Sequence, residues 1–121
     1  MQNFRRLDVW GKAHAVALNV QRLSRQVRQR DNAGLIGQLR RAALSIPANI
    51  AEGAGRATDQ DFAKFVQIAI ASATELEYHL EFAADAEILP RRDCELRQEE
   101  VIQVRRMLIG LLRRLRETGK G

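Results

Sequence analysis

The chain has little of what marks a dedicated chemical site. It has one cysteine, Cys94, among 121 residues. That excludes an intramolecular disulfide and leaves no cysteine-based metal cage, so Cys94 reads as a buried structural thiol. There are two histidines, His14 and His79, on different predicted segments. Glu75 precedes His79 by four residues, not by the three of the Glu-x-x-His pattern that di-iron bundles use. Neither a metal nor a cofactor is expected. Ser45 has no base in view, so catalysis at that hydroxyl is not expected either. Aromatics make up 5% of the chain, which gives strands little support. Prolines number two. No apolar run approaches the roughly 20 residues of a membrane span. The opening MQNFRRLDVWGK holds no apolar signal core. These absences read as a soluble, cytoplasmic chain that is not an enzyme.

Acidic residues are scarce where basic ones abound. Residues 1–56 carry ten basic and three acidic groups, and residues 57–90 carry one and seven. Residues 91–121 return to nine and five, and arginine outnumbers lysine 17 to 3. A guanidinium grips phosphate with two donors, so this bias favours nucleic acid or an acidic protein surface.

Ala, Leu, Arg, Glu and Gln dominate, and all are good helix formers. A helical stripe runs through Val9, Ala13, Val16, Val20, Leu23 and Val27, and ends at the turn cluster Asp31-Asn32-Ala33-Gly34. A second runs through Ile36, Leu39, Ala43, Ile46 and Ile50. Pro47 lies inside it, which predicts a kink, with Ser45 bonding the Arg41 carbonyl to ease it. Gly53 and Gly55 follow and predict a left-handed C-cap. A third helix opens at Thr58 as N-cap, with Asp59 and Asp61 in its first turn, and closes by Leu89-Pro90. A fourth runs from about Asp93 through Val101, Val104, Leu108, Leu111 and Leu115. The expected fold is all-α: one domain over residues 1–121, an antiparallel up-down-up-down four-helix bundle with its second helix kinked at Pro47.

Three helices carry apolar residues on the wrong side. Gly37, Arg41, Leu44 and Ala48 share the outer face of helix two. Ile102, Arg106, Ile109 and Arg113 share that of helix four. Ile68, Ile70, Tyr78 and Phe82 lie beyond the core face of helix three. A continuous row of this kind marks a subunit interface. The acidic stretch Glu75–Glu87 offers these arginines complementary charge, in the same chain or a neighbour's.

The basic surface is the other candidate. Arg22, Arg25 and Gln29 lie outward near the end of helix one, with Arg28 and Arg30 flanking. Trp10 reads as part of the core stripe rather than as a base-stacking residue, and no aromatics interleave these arginines. Gly53-Ala54-Gly55 is a lone G-x-G with no strand before it, so a cap and turn is the plain reading. Arg56, beside the start of helix three, leaves anion binding open there.

The runs LDVWGKAHAVALNVQRL, GLIGQLRRAALSIPANIAEGAGR and FAKFVQIAIASATELEYHLEFA resemble the bacterial four-helix-bundle family also called the 23S rRNA intervening-sequence (S23) proteins. The match covers about residues 7–90, with Arg40–Arg56 its most specific stretch and helix four matched only by pattern. The resemblance implies a homopentamer without enzyme activity. More distantly it implies kinship with the accessory proteins of retroelements, basic pentamers that bind a reverse transcriptase and nucleic acid. It supplies no catalytic residues.

Two functions follow as expectations. One is a homo-oligomeric, non-catalytic adaptor that binds RNA, DNA or a reverse-transcriptase-like protein through Arg22, Arg25, Arg28 and Arg56. The other is an assembly module whose arginines serve subunit contacts, without nucleic acid.

Overall fold

The computed structural model describes residues 1–119, excluding the side chains of Gln29 and Arg30. A 3-10 turn over Phe4–Arg6 leads into α1, Asp8–Ser24, and α2 spans Gln29–Ala54. Then come α3, Asp59–Asp85, and α4, Arg91–Thr118. Backbones approach closely between α1 and α2, α2 and α3, α3 and α4, and α4 and α1. This leaves α2 diagonal to α4, and α1 diagonal to α3, in an up-down bundle.

The predicted stripes meet at the centre. Ile36, Leu39, Ile46, Ile50, Leu76, Leu80, Val101 and Leu108 are all at most 1% exposed. Each such side chain contributes roughly 1.5–3 kcal/mol over its exposed state. Ala13, Ala43, Ala69, Ala73 and Ala83 lie between them and let the helices approach. The core is aliphatic; of the six aromatic residues only Phe62 is buried. Cys94 is fully buried, and burial pushes its thiol up to about 11, with the Asp93 charge adding to the shift.

Several local expectations need correction. α1 stops at Ser24, before Val27, and the cluster Asp31–Gly34 lies inside α2. The non-helical backbone of α2 is at Asn32 (φ −139°, ψ 38°), not at Pro47. Asparagine competes for local backbone bonds and so favours such a break. Pro47 costs ~3 kcal/mol inside a helix. Its neighbours Ile46 and Ile50 are both wholly buried, and their burial outweighs that cost, so the helix runs through. Ser45 does not turn back to the Arg41 carbonyl. Its Oγ lies 2.7 Å from Ser72 Oγ on α3 and accepts from Asn49 Nδ2 at 2.9 Å.

The glycine cap is also different. Gly55 has φ −81°, and its N–H donates to the carbonyls of Ala51 and Glu52. Gly53 is needed for proximity instead. A Cβ there would come within 2.7 Å of Phe62 Cδ1 and 2.8 Å of Phe65 Cβ, where α3 crosses α2. The left-handed residue among those described is Glu87 (φ 59°), in the turn between α3 and α4. Thr58 caps α3 as expected, its Oγ1 accepting from the Asp61 N–H at 3.1 Å. α3 ends at Asp85, ahead of Leu89-Pro90, and α4 starts directly after Pro90. No helix among the described residues is long and apolar enough to cross a membrane.

Candidate functional site

The bundle has two ends, each built from both halves of the chain. At the first, the Gln2 N–H donates to the Ala54 carbonyl at 2.7 Å, and Thr118 Oγ1 donates to Asp59. The start of α1, the end of α2, the start of α3 and the end of α4 therefore meet there. At the second, Arg40 Nε donates to Ser24 Oγ at 2.9 Å, and Arg91 Nη2 to Asp85 Oδ1 at 2.8 Å. The length of the unbroken α3, 27 residues or about 40 Å, separates the two ends.

This geometry splits the predicted basic set. Arg22, Arg25 and Arg28 are exposed at the second end, and Arg56 is at the first. They do not form one patch. Arg22 Nη1 donates to Asn19 Oδ1 at 3.3 Å. Arg56 is partly engaged: Nη2 meets Glu52 Oε1 at 2.8 Å, and the guanidinium lies 4.6 Å from the centre of the Phe65 ring.

The acidic face of α3 is largely neutralised from within. Arg105 Nη1 meets Glu77 Oε1 at 2.6 Å. Arg91 bridges Glu81 and Asp85, and holds the Asp85 carboxyl below the usual carboxylate range through a hydrogen bond. Arg97 Nε and Glu100 Oε1 lie 2.8 Å apart, too poorly angled for a hydrogen bond. Of the arginines predicted to use the acidic stretch, Arg41, Arg106 and Arg113 make no ion pair among the described residues.

Those three lie on the predicted outer rows. Leu44 is 64% exposed between Arg41 and Ala48, and Ile109 is 42% exposed between Arg106 and Arg113. Ile102 is half-buried, as is Gly37, over which the Arg41 guanidinium folds. Since α2 and α4 are diagonal, the two rows face away from each other. On α3, Ile68, Tyr78 and Phe82 are exposed, whereas Ile70 packs against the core. A shallow depression of about 450 Å³ lies between α2 and α3, lined by Gln38, Arg41, Ser45, Ser72 and Glu75. One helical turn along, His79 Nε2 sits 3.1 Å from Glu75 Oε1. No group of three or more His, Cys, Asp or Glu side chains among the described residues could hold a metal ion.

One cluster escaped sequence reasoning. Trp10 is only half-buried, at the edge of the α1 stripe, and it stacks on His14. The rings are 4.8 Å apart and 9° from parallel. Phe4 of the 3-10 turn meets Trp10 edge-on at 4.8 Å, and the Arg5 guanidinium lies 4.6 Å over Phe4. The usable signal was the four-residue spacing of Trp10 and His14, which puts both on one side of a helix.

A model of the 23S rRNA-intervening sequence protein family matches residues 5–110. The chain belongs to that family. The intervening-sequence match runs well into α4, beyond the stretch in which the motifs were legible by eye. A crystal structure of a protein of unknown function from the S23 ribosomal protein family of Bacteroides thetaiotaomicron is similar, with a TM-score of 0.79 and 25% identity. The similarity covers 86% of this chain and 97% of that one. No curated protein matches this intervening-sequence family member.

Proposed function

We propose that the chain is a non-catalytic, homo-oligomeric bundle protein that engages nucleic acid, or an enzyme acting on it, through its exposed arginines. The observation that carries this reading is the split in arginine pairing. The arginines of α4 that reach α3 are matched by carboxylates. Arg25, Arg28, Arg106, Arg113, Arg114 and Arg116 have no carboxylate partner among the described residues. Unmatched guanidinium groups on a rigid frame favour phosphate or an acidic partner. RNA and DNA binding across a salt series tests it. Binding through phosphates weakens steeply as salt rises. No retention of either nucleic acid at low salt would refute the reading.

A second reading is a pure assembly module, pentameric as the family resemblance implies. It draws support from the two apolar, arginine-bearing rows on the diagonal helices α2 and α4. Two separate surfaces on opposite sides of one subunit suit a head-to-tail contact, which forms a ring when its rotation closes. Charge reversal at Arg41 or Arg106 should then split the oligomer in sedimentation, while reversal at Arg22 and Arg25 leaves it intact. Under the nucleic-acid reading, the Arg22/Arg25 reversal lowers affinity instead.

A further inference from the structure

We infer that the ladder of Phe4, Trp10 and His14 is a stacking platform for an unpaired base of single-stranded nucleic acid. The inference rests on the nucleic-acid reading above and gives it a site.

Planar groups are already layered there. Arg5 lies over Phe4, Phe4 abuts Trp10, and His14 lies nearly parallel on Trp10. His14 is exposed and ends the series, which leaves it open to one more planar group. Phe4 and Trp10 pack against the core only from its edge. Val9, Ala13 and Val16 already fill the inner face of α1, at 6%, 0% and 2% exposure. The chain's single tryptophan thus packs against the edge of an aliphatic core while staying half-exposed. Every base has a π-face, so such a platform is sequence-tolerant, and it needs a base not covered by its duplex neighbours.

One cation sits at the stack itself, the Arg5 guanidinium over Phe4. The 3-10 turn carries Phe4 and Arg5 toward Trp10, and Arg6 toward α4. Arg6, Asp8 and Arg114 line an open depression of about 420 Å³ on the α4 side of α1, in which Gly110 presents no side chain. Arg5, Arg6 and Arg114 make no ion pair among the described residues. A stacking surface with an unmatched cation beside it is what a single-strand site combines.

Trp10 reports on its own site, because no other tryptophan contributes emission. The full chain is titrated at low salt with oligothymidylate and oligouridylate of roughly 12 nucleotides, a length within known single-strand site sizes. Parallel titrations use a duplex of equal length and the corresponding mononucleotides. We expect saturable quenching of Trp10 by both strands, lost as salt rises. His14→Ala should weaken strand binding about tenfold with unchanged helicity, and His14→Phe should restore it. Tyr78→Ala, which removes an exposed aromatic on the diagonal helix α3, should leave affinity unchanged. Strand binding with unaltered Trp10 emission and no loss in His14→Ala would overturn this site while leaving the nucleic-acid reading standing. No binding at low salt overturns both. Duplex or mononucleotide bound as tightly as the strands would overturn the single-strand assignment.

Discussion

α3 and α4 lie side by side and are nearly equal in length, 27 and 28 residues, yet they carry opposite charge. α3 holds the acidic stretch Glu75–Asp85, and α4 holds eight of the arginines. Rotation about the helix decides what each arginine does. Arg105 points at α3 and reaches Glu77 at 2.6 Å. Arg106 is turned by a further 100° or so and pairs with nothing among the described residues. Two neighbours in sequence therefore divide between structure and surface. A count of charges cannot make that division.

The comparison can be broken most severely at the shared core. Leu80→Ala on α3 and Leu108→Ala on α4 should each cost about 2–5 kcal/mol in denaturant unfolding, since both leucines are wholly buried. A loss under ~1 kcal/mol at either would mean that helix is not committed to the core. Next comes the point where α3 crosses α2. Gly53→Ala should cost about 1–3 kcal/mol, because its Cβ meets Phe62 and the Cβ of Phe65. Gly11→Ala, which meets nothing within 4 Å, should be neutral or stabilising. If the two substitutions behave alike, close packing is not why glycine stands at position 53.

Arg105→Ala and Arg106→Ala test the division itself. The first should cost about 1 kcal/mol, with a coupling to Glu77 visible in a double-mutant cycle. The second should stay within about 0.5 kcal/mol and act only on assembly or ligand binding. Equal costs would erase the distinction. The smallest effect is at Asp85. Its carboxyl is held below the ordinary value near 3.8, so the pair with Arg91 contributes above that pH. That contribution is lost as pH falls through the lower native value. Asp85→Asn should flatten the acid limb of a stability–pH curve slightly, and an unaltered limb would count against the pairing.

The four helices and their core were legible because apolar residues recur at a period close to 3.6 from Val9 to Leu115. The two outer rows were legible for the same reason: Leu44 and Ile109 stand opposite their stripes and are exposed. What a one-dimensional pattern cannot carry is contact between elements. Gly53 looked like a cap and is a point of close approach. Pro47 looked like a hinge, but burial on either side overrides it, and the break falls at Asn32. Ser45 looked local and bonds across to Ser72. The candidate site was half legible. The arginines could be named, but their separation by the length of the bundle and the engagement of Arg56 required the fold. Trp10 packs against the core as the stripe implied, but it borders the stripe and stays half-exposed, which the wheel does not resolve.

Glu87 has a consequence of its own. Its backbone sits in the left-handed region, which costs a residue with a Cβ about 1–2 kcal/mol relative to glycine. That stability is available in a turn that lies on neither outer row. The sequence is therefore adequate to its threshold and not driven to an optimum. Glu87→Gly should raise the melting temperature, which would give room for the destabilising changes that new surface functions bring.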